Sequence, residues 1–198
     1  MDNIINNNYA ELSGVVIAAP KYSHENRGEK FYLIPVAVQR LSGTLDTINI
    51  IVREKLLPSA IPINSHVHVF GQVRSFNNKT EIGAKLVISV FARDFILEPC
   101  EDRNDILLKG TICKQPNFRR TPLGREICDF MLAINRKYNK SDYIPCIAWG
   151  MKAREIARMD VGTTITVSGR IQSRTYIKLI NDQPIEKTAF EISIIEYE

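Results

Sequence analysis

The feature that most constrains the fold is a repeat with a period near half the chain. Leu12–Val16 (LSGVV) returns as Leu108–Ile112 (LKGTI), Val36–Arg40 (VAVQR) as Leu132–Arg136 (LAINR), and Asp46–Val52 (DTINIIV) as Asp142–Ala148 (DYIPCIA). These pairs share one offset. Val67–Arg74 (VHVFGQVR) then pairs with Ile165–Gln172 (ITVSGRIQ) after a small change of length. Self-similarity in a fixed order is the mark of a duplicated structural unit. A chain of 198 residues divided this way gives units of roughly 95 residues, enough for a small barrel core.

Within each unit Val, Ile, Phe and Thr come in short runs separated by turn chemistry: Gly43, Asn77-Asn78, Thr121-Pro122-Leu123-Gly124, Gly162 and Asn181-Asp182. Only Met151–Met159 (MKAREIARM) carries a helical pattern; its counterpart Glu54–Ala60 (EKLLPSA) is shorter and interrupted by Pro58. Gly71 and Gly169 fall inside strand runs, where glycine marks a bend or a close backbone approach. The expected fold class is all-β: two tandem five-stranded Greek-key OB-fold barrels, each with a short helix between strands 3 and 4. The expected organisation is a disordered N-terminus over 1–9, a divergent first OB-fold over 10–97, an acidic linker over 98–105 (EPCEDRND), and a second OB-fold over 106–198.

The net charge is only +4, but residues after the linker carry a clear basic surplus while the first half is nearly balanced. Cys100, Cys113, Cys128 and Cys146 are far apart and form no C-x-x-C pair, so neither a disulfide framework nor a zinc knuckle is expected. No apolar run reaches the roughly 18–20 residues that cross a bilayer. Met1–Tyr9 is Asn-rich and lacks the order of a signal peptide, so the cytoplasm is the expected compartment.

From Leu108 onward the sequence resembles the DNA-binding domain of bacterial single-stranded DNA-binding proteins (SSB). The resemblance is carried by Gly110–Gly124 (GTICKQPNFRRTPLG), Phe130–Arg136 (FMLAINR), Asp142–Trp149 (DYIPCIAW) and Val167–Tyr176 (VSGRIQSRTY), in the family's order and spacing. It implies base stacking on Tyr138, Tyr143, Trp149 and Tyr176. It also implies a phosphate track from Arg119, Arg120, Arg125, Arg136, Lys137, Arg170 and Arg174, with Lys152 as a further candidate. Strand alternation points the same way: Tyr143, Pro145, Ile147 and Trp149 share one face, and Ile144, Cys146 and Ala148, which suit a barrel interior, share the other. Two alternatives stay open, a core position for the lone Trp and a solvent face for the helix basics Lys152, Arg154 and Arg158.

The sequence departs from the family in two ways. Members often end in a flexible tail with an acidic tip that recruits partners, whereas here Ile194–Glu198 directly follows the last strand, so no such tail is expected. Many members carry one fold per chain and assemble four; two per chain implies a homodimer with four, or a monomer with two.

The first unit lacks most of the stacking set: Ser42 stands where Tyr138 does, Thr47 where Tyr143 does, and Arg53 close to the place of Trp149. Its weaker candidates are Tyr22, Arg40, Arg53, Arg74 and Phe76; a protein interface is the other use for this barrel. His66 and His68 share a strand face but no third ligand lies nearby in sequence, so no metal is expected. No P-loop, zinc-protease helix or serine-hydrolase elbow occurs, which leaves no catalytic constellation and no cofactor motif. The expected function is non-enzymatic binding of single-stranded DNA with little sequence preference, in replication, repair or recombination. The alternative is an OB-fold protein-interaction subunit, primosome-like, with weak DNA binding.

Overall fold

The computed structural model describes residues 7–78, 86–180 and 183–198, with the side chains of 178 and 180 left aside. The chain divides into two compact units. One holds Tyr9–Arg74 and Ser89–Asp105; the other holds Ile106–Glu198 with the described parts of residues 1–8 and 75–88.

The first unit is built on β1 (Asn8–Val16), β2 (Lys21–Asn26), β3 (Glu29–Gln39), β4 (Leu45–Arg53), β5 (His66–Asn77) and β6 (Leu86–Leu97). Their order is β2-β3-β4-β6-β5-β1, and β1 also pairs with β3, which closes the barrel. The β1–β3, β1–β5, β2–β3 and β3–β4 ladders are antiparallel, and β4 pairs with β6 in parallel, where Ile50 and Ile51 face Val90 and Phe91. The second unit repeats this plan with β7 (Arg103–Ile112), β8 (Asn117–Arg120), β9 (Glu126–Arg136), β10 (Lys140–Trp149), β11 (Thr164–Ile180) and β12 (Gln183–Tyr197). It closes through β7 with β9, and its parallel pair sets Cys146 against Ile192. In each unit the first strand of the five-strand plan is in two pieces. The breaks hold Pro20 and Pro116, which occupy the same repeat position and lack the N–H that a ladder needs. The expected OB-fold class is the architecture found.

The repeat is a repeat of the core. Leu12, Val36, Ile48, Ile50, Val67, Val69 and Val73 are buried in one barrel, and Leu108, Leu132, Ile144, Cys146, Ile165, Val167 and Ile171 take their places in the other. A Cβ on Gly71 would stand 2.3 Å from the carbonyl oxygen of Phe91, and one on Gly169 2.3 Å from that of Ser193. Both glycines therefore mark points where adjacent strands come too close for any side chain.

The structure refines the expected plan at several places. The helix between strands 3 and 4 is α1 (Gly150–Ile156) in the second unit but a single 3-10 turn, Glu54–Leu56, in the first. Residues 1–6 of the expected disordered lead-in lie outside the described residues, but strand β1 begins at Asn8. The segment 98–105 packs on the first unit: the amide of Gln39 donates to Asp102 (2.6 Å), the Cys100 thiol lies 3.7 Å from the Val67 carbonyl, and β7 starts at Arg103.

Candidate nucleic-acid interface

Cross-strand register defines the face. Asn117, Asp129, Ile147, Ser193 and Arg170 are successive partners across β8, β9, β10, β12 and β11. Residues directly opposite share a face, and alternate residues along each strand stay on it. The neighbouring row, Phe130, Cys146, Ile192 and Ile171, is fully or nearly buried and is the barrel interior. The outer face therefore carries Arg119, Trp149, Tyr143, Arg170, Arg174 and Tyr176 together, supplied by three strands, β8, β10 and β11. Ile147 belongs to this face by alternation but is buried, so the exposed row on β10 is interrupted there.

Trp149 is 38% exposed and its indole N–H donates to Ser193 Oγ at 3.1 Å, which ties the ring to β12. Gly150 follows with φ +60, a left-handed conformation that turns β10 into α1. Tyr143 is 48% exposed; its amide donates to Ser75 Oγ at 2.8 Å, and the Ser75 amide donates to Asp142 at 2.9 Å. Tyr176 is half-buried, with the Arg174 guanidinium 5.8 Å above its ring. Tyr138 stands apart from the sheet face at the β9–β10 connection, 83% exposed, and both it and Asn139 have positive φ. A bulky residue there costs roughly 1–2 kcal/mol, so the connection holds an aromatic ring out in solvent at some expense.

The cationic track is more compensated than the sequence indicates. Arg119 Nε lies 2.6 Å from Asp129, Arg120 3.0 Å from Glu126, Arg136 3.4 Å from Asp142 and Arg174 3.4 Å from Glu191. Arg125, Lys137 and Arg170 have no ion pair among the described residues. On the helix, Lys152 reaches Glu196 at 3.4 Å and Arg154 reaches Glu126 at 2.5 Å. The two arginines beside Glu126 pull its carboxyl below the usual range, the hydrogen bond from Arg154 being the largest cause. The sequence reading missed Asp129 and Glu191. Asp129 was legible: it alternates with Cys128, Phe130 and Leu132 in a strand whose other face is apolar.

The weaker candidates are dispersed. Arg40 holds the fully buried Asp46 through two 2.6 Å hydrogen bonds, as Arg136 holds Asp142 at the same repeat position. Both arginines pin a hairpin to a buried carboxylate. Arg53 lies over the Phe91 ring (5.4 Å) and 3.6 Å from Glu29, and Arg74 bonds to Gln72. Tyr22 is exposed and meets Tyr32 edge-on at 6.0 Å. Phe76, read as part of the first fold, belongs to the compact unit that holds Ile106–Glu198. His68 contacts Glu11 (3.0 Å) and Glu98 (3.2 Å). Among the described residues no cluster of metal-ligating side chains is found, and no helix is long and apolar enough to cross a membrane.

Residues 103–196 match the profile of the single-strand binding protein family. "Single-stranded DNA-binding protein 1" of Clostridium acetobutylicum is 40% identical over 81 residues, covering 37% of this chain and 74% of that protein. The "Single-stranded DNA-binding protein" of Clostridium tetani is 38% identical over 80 residues, covering 37% of this chain and 55% of its own. This chain thus spans between about half and three quarters of the curated relatives it matches. The wild-type single-stranded DNA binding protein from Thermus aquaticus has the same fold, with a TM-score of 0.77 at 17% identity, covering 96% of this chain and 91% of that one.

Proposed function

This chain belongs to the single-strand binding protein family, and from that premise we propose that it binds single-stranded DNA, without catalysis, on the outer face of β8, β9, β10, β12 and β11. The observation that carries the proposal is the register that gathers Trp149, Tyr143 and Tyr176 with Arg119, Arg170 and Arg174 on that face. Aromatic rings hold unpaired bases by stacking, which tolerates any base because every base has a π-face. Cations fix the backbone and make binding depend on salt. Trp149 and Tyr143 are the central platforms, Tyr176 extends them along β11, and Tyr138 is a further ring at the β9–β10 connection. Arg125, Lys137 and Arg170 are the most available phosphate ligands; Arg119, Arg120, Arg136 and Arg174 contribute in competition with their carboxylates. Tyr22, Arg40, Arg53, Arg74 and Phe76 form a weaker secondary set.

The proposed service is protection of exposed strands in replication, repair or recombination, within the cytoplasm, by a homodimer with four barrels or a monomer with two. The protein-interaction alternative is not favoured by the family match. Titration with oligo(dT), following the emission of Trp149, tests the reading. Quenching by single-stranded but not duplex DNA, weakened by salt, is the expected result. Unchanged emission with no shift in a gel would overturn it.

A further inference from the structure

We infer that Asp129 and Glu191 govern the strength and salt dependence of strand binding, by occupying Arg119 and Arg174 and keeping the aromatic face close to neutral. The inference rests on the binding reading above and names the residues that regulate that site. Both carboxylates sit on the face itself. Asp129 lies opposite Asn117 and Ile147, and its Oδ2 accepts from Arg119 Nε at 2.6 Å. Glu191 is buried among its neighbours on β12. One of its oxygens accepts from Gln172 Nε2 at 3.0 Å and the other stands 3.4 Å from Arg174 Nε.

The two pairs are linked. The Asp129 hydrogen bond raises the Arg119 guanidinium above its usual pKa, and the Glu191 charge adds to the same effect. A phosphate approaching Arg119 or Arg174 meets a guanidinium already engaged with a carboxylate, and also meets that negative charge at short range. The face then gains little by releasing counterions, and stacking on Trp149 and Tyr143 supplies most of the affinity. Counting arginines overstates the salt dependence. If all of Arg119, Arg120, Arg125, Arg136, Lys137, Arg170 and Arg174 neutralised phosphates, log K would fall with log[salt] at a slope of about −5. With the four paired arginines left on their carboxylates, the slope falls to about −2.

The experiment measures oligo(dT) binding by the full chain at several salt concentrations, for the wild type, Asp129→Asn and Glu191→Gln. Both substitutions keep shape and one acceptor oxygen while removing the charge. The expected result is a wild-type slope near −2, steepened by about 0.7 in each variant as one arginine is freed. Binding at low salt should also tighten about two- to five-fold, the range set by the worth of an exposed ion pair. A purely structural role would lower the melting temperature and weaken binding without steepening the slope. That outcome, or unchanged slopes in both variants, overturns the inference while wild-type binding still supports the function. Failure of the wild type to bind overturns the function instead. Thermal melts identify a variant that does not fold, and the other variant then decides the matter.

Discussion

The two units share an interior and differ in what they show to solvent. Ile48, Ile50 and Val52 of β4 are buried like Ile144, Cys146 and Ala148 of β10, and a buried Asp held by an Arg recurs as Asp46–Arg40 and Asp142–Arg136. Outward, the repeat breaks down. Thr47 stands in the place of Tyr143 and Ser42 in that of Tyr138. Arg53, near the place of Trp149, is packed on Phe91 and beside Glu29. The β2–β3 hairpin carries Lys30–Glu54 and Lys55–Glu29 pairs around Tyr32, whose hydroxyl donates to Glu54 at 3.1 Å. The difference teaches that one barrel scaffold can present exposed aromatic rings in one copy and a mixed-charge surface in the other.

The comparison can be broken most forcefully at what the units share. Asp46→Ala and Asp142→Ala should each destabilise their own barrel by about 1–3 kcal/mol, since each removes a buried acceptor and leaves its donors without a partner. Chemical denaturation followed by circular dichroism would measure it; a loss confined to one variant would mean that the two pairs are not equivalent. The next effect separates the units. Trp149→Ala or Tyr143→Ala should weaken binding to oligo(dT) by roughly 1–3 kcal/mol each, while Tyr22→Ala should change it little; equal losses would spread the interface over both barrels.

Alkaline pH sharpens the same contrast through the thiols. Burial pushes Cys128 up to about 11 and Cys146 well above its usual value, whereas their repeat positions in the first unit are Tyr32 and Ile50. A raised folded-state pKa means that stability is complete below the unfolded thiol value and is lost as pH rises through the folded one. The second barrel should therefore lose on the order of 1 kcal/mol between pH 9 and 10 for Cys128 alone. Serine at both positions should remove that pH dependence from the melts. The smallest effect is Arg170→Ala, which should lower the salt slope by about 0.7, while Arg53→Ala leaves it unchanged.

What the sequence made legible was whatever packing dictates. Inward-facing residues must be apolar in both copies, so the repeat exposed the barrels and their register. Pro58 foretold the shortened helix of the first unit because proline cannot sit within one. Pairing between charges was not legible. Arg40 and Asp46 meet only because β3 and β4 form a hairpin of a particular register, so a basic residue in a turn looked available when it was already engaged. The segment 98–105 misled for a related reason. Its acidity suggested a solvated linker, but Glu98 meets His68, Asp102 accepts the Gln39 amide and Arg103 bonds to Glu11. Composition records charge and is silent about its partner.

The parallel strand pair in each barrel also sets an order in time. Ile50 waits for Val90, and Cys146 waits for Ile192, before either barrel can close. At roughly 5–20 residues per second on the ribosome, the stretch from Val90 to Ile192 takes on the order of 5–20 s to make. Small β-barrels fold in milliseconds to seconds. The first barrel can therefore seal on its own last strand before the competing copy emerges. Synthesis from the N-terminus thus offers each barrel its own last strand first, which works against exchange between two units of the same strand pattern.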